Sequence, residues 1–191
     1  YKVQPYLDHT YFMKAYDIGE VENSILLGGK LGFEYIEFMS TYDEIQEDDL
    51  VKWRKLAEKV GLNFFYEHHP KKNWFKNSND ETSDFDNIIR MADPFLKNGA
   101  KMLVLDHEEF ELQNNLGKLN YDNIIEYYGK ENICFEVTSP KEGNDRWLYD
   151  LKKYFKLFGT DINVCNIMPS QILLINSLRN NPNLEIEPKR L

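Results

Sequence analysis

Acidic residues close a series of apolar runs along this chain: Asp8, Glu37, Glu67, Asp106 and Glu136, with Asn166 in the sixth place. Histidines follow three of these acids directly, in Asp8-His9, Glu67-His68-His69 and Asp106-His107, and these are all four histidines of the chain. Carboxylates brought together in a water-poor site repel one another, so either a cation sits among them or some take up protons. Oxygen ligands suit a hard divalent ion, Mg²⁺ above all. Imidazole from His69 or His107 shifts the preference toward Mn²⁺, Fe²⁺ or Zn²⁺. Strand alternation places Phe65, Glu67 and His69 on one side and His68 on the other, so Glu67, Asp106 and Glu136 are expected to point inward together. Lys71 follows closely and can bind an anion or move a proton. A single strand-end acid is more often a loop or helix-capping residue, but five at equivalent positions weigh against that reading for the set. His68 reads as a solvated loop residue, Lys72 as solvated, Glu108 to Glu111 as an exposed acidic loop, and Cys134 and Cys165 as core packing.

The elements that carry these residues repeat. A glycine closes a helix, a β-rich run follows, and a polar residue ends it, as in Gly32 to Glu37, Gly61 to Glu67, Gly99 to Asp106, Gly129 to Glu136 and Gly159 to Asn166. Successive glycines lie 29, 38, 30 and 30 residues apart, the length of a strand-helix unit. Leu50, Trp53, Ala57 and Val60 recur at helical spacing, as do Leu148, Leu151, Phe155 and Phe158. Each glycine stands where a left-handed residue would end a helix. Asp84 and Ser170 read as helix caps, and Pro94 is expected to kink the third helix or split off its last turn. Lys2 to Asp8 reads as a strand, Thr10 to Asp17 as irregular, and Glu20 to Leu31 as a helix.

Strands alternating with helices predict a parallel sheet. No G-x-G-x-x-G or P-loop follows a strand, which weakens a nucleotide-binding, doubly wound alternative. The expected fold is therefore α/β of the (β/α) TIM-barrel type, with six units visible and the barrel incomplete. Residues 1–191 are read as one domain, truncated at its N-terminus, with 182–191 a loosely held tail. Six strands of an eight-stranded barrel leave two open edges, so homo-oligomerisation or covering of those edges is expected. The chain begins at Tyr1, not Met, so an upstream segment is expected to have been removed.

Composition narrows the partners. With 42% apolar residues, 14% aromatics and a net charge of −9, the chain is globular and a poor nucleic-acid binder. It has no run long enough to span a bilayer and no visible signal peptide. Two cysteines within apolar runs suit a reducing cytoplasm.

Phe135-Glu136-Val137 and Asn163-Val164-Cys165-Asn166-Ile167 resemble the Phe-Glu-Ala-Pro and Asn-Leu-Ala-Asn-Ile motifs of phosphosulfolactate synthases. Gly32 to Glu37 is similar to that family's Gly-Phe-Glu-x-Val-Glu-Ile strand, and Tyr66-Glu67-His68 to its Ser-Glu-Val-Gly position. Asn98-Gly99-Ala100 with Val104-Leu105-Asp106 is similar to its Ala-Gly-Ala strand. The resemblance implies an eight-stranded barrel whose first two units are missing here, and Mg²⁺-dependent addition of sulfite to phosphoenolpyruvate. It implies Glu67, Asp106, Glu136 and Asn166 lining the metal and substrate site, with Lys71 as an acid or base. Taken with the chemistry of the residues themselves, Asp106, Glu136 and Glu67 are expected at the metal, Asn166, Asn163, His69 and His107 at a small anionic substrate, and Lys71 with Glu67 in catalysis. The chain departs where the family has Glu-x-Arg-Glu-Ser: Asp106-His107-Glu108-Glu109-Phe110 lacks the Arg. A diverged metal-dependent isomerase or lyase acting on another small acid or sugar is the alternative, followed by a non-catalytic relative.

Overall fold

The computed structural model describes residues 5–39, 45–68, 85–107, 121–139 and 144–184. Among the described residues, six strands alternate with helices. They are β1 (Tyr6–Leu7), β2 (Tyr35–Met39), β3 (Asn63–His68), β4 (Leu103–Leu105), β5 (Ile133–Glu136) and β6 (Asn163–Cys165). The helices are α1 (His9–Asp17), α2 (Val21–Leu31), α3 (Glu47–Lys59), α4 (Phe85–Lys97), α5 (Tyr121–Tyr128), α6 (Asn144–Phe158) and α7 (Ile172–Asn180). Strand order follows chain order and every neighbouring pair is parallel. A doubly wound sheet would reverse its order midway, so this is the barrel-type winding.

The two faces of the sheet bury different things. Outward residues Ile36, Phe38, Phe64, Tyr66, Leu103, Leu105, Ile133 and Phe135 join Phe12, Trp53, Phe95, Trp147 and Phe155 of the helices in one large core. Inward residues Phe65, Val104, Cys134 and Cys165 pack with Tyr6, Tyr35 and Met102 in a smaller cluster made of residues from the sheet and its edges. The helices thus cover one face, and the other curls on itself. The backbone N–H of Asn166, just past β6, donates to the Tyr6 hydroxyl of β1 at 3.3 Å, which joins the first strand to the last across the concave side. The described residues form an incomplete (β/α) barrel of six units. Both cysteines are buried and free.

The repeat glycines at 32, 61, 99, 129 and 159 all have positive φ. At Gly32, φ is +83° and its N–H closes back on Gly29, so the chain leaves α2 in the left-handed conformation that glycine adopts without a Cβ clash.

Several expectations are corrected. Thr10 to Asp17 is not irregular but lies within α1, where Phe12 and Ala15 bury the core-facing side and the Asp8 side chain caps the first turn through Thr10 N–H at 2.8 Å. Helix α4 runs through Pro94 to Lys97 with no turn split off. Ser170 caps nothing: it lies inside a 3₁₀ turn, Pro169–Gln171, that leads into α7. Asp84 and the acidic run 108–111 lie outside the described residues, and so does the chain beyond 184. Leu184 itself is held, packing on the core and accepting a hydrogen bond from Lys152.

Candidate functional site

Strand alternation carries Tyr35 and Glu37, Phe65 and Glu67, Val104 and Asp106, and Cys134 and Glu136 to the concave face, so the acids stand one step above the apolar floor at the C-terminal ends of their strands. Glu37, Glu67 and Asp106 are buried. Parallel register holds them together as a ring, but the ring divides into two groups.

The first group is Asp106, His107 and Glu136, one ligand atom of each lying within 4.8 Å of the others. His107 Nδ1 stands 3.6 Å from Asp106 Oδ1 and 3.6 Å from Glu136 Oε2. Helix α6 fixes the end of β5 beneath it: Tyr154 donates to the Glu136 carbonyl at 3.0 Å, and buried Asp150 accepts both the backbone N–H and the hydroxyl of Thr138. Asn166 Nδ2 donates to Glu136 Oε1 at 3.1 Å and to the Val137 carbonyl at 3.1 Å. Asn166 does so from a left-handed backbone, φ +62°, which is uncommon for a residue with a side chain and clusters at functional sites.

The second group is Asp8, His9 and Glu37, again within 4.8 Å of one another. His9 Nδ1 lies 3.9 Å from Asp8, 3.6 Å from Glu37 and 2.6 Å from Glu67 Oε2. The last contact has ion-pair distance without hydrogen-bond alignment, so both Glu67 carboxylate oxygens are buried with no hydrogen-bond donor among the described residues. The His9 backbone N–H donates to Glu37 Oε2 at 3.2 Å, fixing the start of α1 against the tip of β2.

Burial raises the pKa of Glu37, Glu67 and Glu136 above the usual carboxylate range; mutual repulsion adds to it at Glu67 and Glu136, while the histidines pull the other way. Burial opposes charge on His9, yet the adjoining carboxylates of Glu37 and Glu67 outweigh it and raise its pKa to about 11. Among the described residues, the ion-pair partners of Glu37, Glu67 and Glu136 are histidines alone.

The expected site residues are therefore distributed. Asp106, Glu136 and His107 come together, with Asn166 bracing Glu136. Glu67 does not complete that group but turns to His9. Asn163 is corrected: it begins β6, at the far end from the mouth, and its amide donates to the carbonyls of Glu131 and Ile133, both at 3.0 Å, so it clamps β6 to the start of β5. His68 is corrected too, being buried at the end of β3 beside the Tyr66 ring. Lys71 and His69 lie outside the described residues. His9 and Glu37 are the residues the site expectation passed over. Their signal was in the repeat, since Asp8-His9 has the same acid-histidine form as Asp106-His107.

The residues present fit a divalent cation. Bonds of about 2.1 Å put neighbouring ligands about 3 Å apart and opposed ligands about 4.2 Å apart. The two 3.6 Å separations around His107 lie within that range. The donor set is oxygen with one imidazole nitrogen.

Fold and site together define an incomplete (β/α) barrel with an acidic, histidine-bearing mouth. The family model for (2R)-phospho-3-sulfolactate synthase (ComA) matches residues 1–183. This chain belongs to the phosphosulfolactate synthase family. No curated protein matches it. Among solved structures, D-psicose 3-epimerase in the presence of D-fructose is 18% identical, over 64% of this chain and 48% of that one, at a TM-score of 0.42. D-Psicose 3-epimerase with D-tagatose from Clostridium cellulolyticum H10 is 16% identical over the same shares, also at 0.42. The chain thus spans about half the length of these structures, and at that TM-score nothing follows from the likeness.

Proposed function

We propose that this chain is a divalent-cation-dependent lyase of the phosphosulfolactate synthase type, adding sulfite to phosphoenolpyruvate. The observation that supports it is the Asp106–His107–Glu136 group at the strand ends, in a chain of this family. Phosphoenolpyruvate and sulfite are both anions, and the mouth they must enter is acidic. A cation held by Asp106, Glu136 and His107, Mg²⁺ by family resemblance, supplies the electrostatic stabilisation for the enolate-like charge that develops in this reaction.

The protein's own residues then have separate tasks. Asn166 holds Glu136 by one oxygen, leaving Oε2 directed toward His107. Glu67 lines the mouth between the two groups. In the addition, sulfur forms a bond to C3 of phosphoenolpyruvate, the C2–C3 π pair moves to C2, and C2 takes up one proton. We assign that proton to Lys71, on the family pattern. The apolar floor of Phe65, Val104, Cys134 and Cys165 lies below the acids on the concave side.

The histidine-only pairing of Glu37, Glu67 and Glu136 favours a second reading, an isomerase or lyase on a less anionic small acid or sugar. Sulfite-dependent disappearance of phosphoenolpyruvate, followed with Mg²⁺ and with EDTA, separates the two. Turnover that needs both sulfite and metal supports the synthase. Metal binding without such turnover leaves the second reading. A protein that binds no divalent ion defeats both.

A further inference from the structure

We propose that the mouth holds a second divalent-cation site, built by His9, Glu37 and Glu67 with Asp8 at its rim, separate from the Asp106–His107–Glu136 centre. The inference goes beyond the lyase reading and shares with it only the view of the mouth as a place for cations. Asp8, His9 and Glu37 already bring one ligand atom each within 4.8 Å of the others. An acidic cluster alone proves little, and Asp8 has a structural task of its own in capping α1 through Oδ1. Glu67 supplies the independent observation. Its side chain is 1% exposed, it is aimed at His9, and neither of its oxygens receives a hydrogen bond among the described residues. A buried carboxylate without donors is costly, on the order of several kcal/mol, unless a charge partner compensates.

Distances favour a cation over a simple ion pair as that partner. His9 Nδ1 to Glu37 at 3.6 Å and to Asp8 at 3.9 Å is too long for hydrogen bonding, yet both fall between the separations of about 3 Å and 4.2 Å that a shared metal imposes on its ligands. Only the 2.6 Å contact to Glu67 must open, by about 0.4 Å, a small side-chain rotation. The backbone N–H of His9 donates to the same Glu37 Oε2 and fixes its orientation toward the group. One imidazole nitrogen with carboxylate oxygens selects the Mn²⁺, Fe²⁺ and Zn²⁺ class over Mg²⁺.

The test is Mn²⁺ stoichiometry, by titration calorimetry and by counting free ion in the EPR spectrum, on the parent and on Glu37→Gln, Glu67→Gln and Asp106→Asn. Circular dichroism checks that each variant is folded, and the parent's stoichiometry stands whichever variant fails. The result expected is two Mn²⁺ per chain in the parent. Glu37→Gln and Glu67→Gln each keep one, with the affinity of the lost site down at least 10-fold, and Asp106→Asn loses the other. One ion per chain, lost in Asp106→Asn and indifferent to Glu37→Gln, overturns this site while leaving the lyase reading intact. Two ions retained in Glu37→Gln and Glu67→Gln place the second ion elsewhere and overturn it as well. No ion at all overturns both.

Discussion

The two halves of the mouth hold the same kinds of residue under different constraints. On the β4–β5 side, Glu136 is fixed by Asn166 through its side chain and by Tyr154 through its carbonyl, and His107 stands at equal distance from two carboxylates. On the β1–β3 side, Glu37 and Glu67 are more deeply buried, and Glu67 receives no hydrogen bond from the described residues. One half is pre-organised by neutral hydrogen bonds; the other depends on a charge, His9 in the metal-free chain. Similar residue types thus yield a braced group and one that depends on charge, and the difference lies in which donors the adjacent elements supply. Helix α6 reaches the end of β5, whereas the start of α1 offers one backbone N–H to Glu37 and an imidazole to both acids.

The largest effect expected is on turnover. Glu136→Gln removes a ligand oxygen from the braced half, and sulfite-dependent consumption of phosphoenolpyruvate should fall about 10²–10³-fold, with Mg²⁺ affinity falling beside it. Activity within about twofold of the parent would place the chemistry elsewhere.

The next effect separates the halves by stability. In EDTA at pH 7, His9→Ala leaves two buried carboxylates without their cation and should lower the unfolding free energy by about 3–5 kcal/mol in urea titration. His107→Ala should cost less, about 1–2 kcal/mol, because Glu136 keeps its bond from Asn166. Equal losses would erase the distinction drawn here.

The pH dependence sharpens the same contrast. His9 has a pKa raised from 6.5 to about 11, so its contribution to stability is complete below 6.5 and is lost as pH rises toward 11. Glu37 and Glu67, with pKa raised above 4.5, act with the same sign: the folded state retains protons the unfolded state has released, so stability falls as pH climbs through their titration. Metal-free protein should therefore lose stability steadily on the alkaline side, and His9→Gln should flatten the part above pH 6.5. Denaturant midpoints measured from pH 5 to 10 check this. A stability that rises over that range contradicts the sign.

The smallest effect belongs to Asn163. Its two bonds to the carbonyls of Glu131 and Ile133 are structural, so Asn163→Ala should cost about 1 kcal/mol of stability while metal affinity and turnover stay unchanged. A change in substrate affinity would restore it to the site.

How much of this was legible follows from ranges of interaction. The glycine-to-acid repeat is local, and each of its glycines does take a positive φ before its strand. From that repeat come the parallel winding, the six units and the family motifs, because strand length, helix length and turn chemistry are properties of neighbouring residues. Strand alternation likewise turns Glu37, Glu67, Asp106 and Glu136 inward without any tertiary information. Yet Asn163 and Asn166 stand three residues apart in one motif, and only the sheet register shows that they serve opposite ends of β6. Asp8 reads as one more strand-end acid, and only the close start of α1 shows it capping a helix and delivering His9 to Glu67, 58 positions away in the sequence. Which histidine meets which carboxylate depends on the curl of the sheet and on where each helix begins. Those are settled by the packing of Phe12, Trp53 and their neighbours against the outer face, a sum over contacts distant in the chain that no local pattern contains.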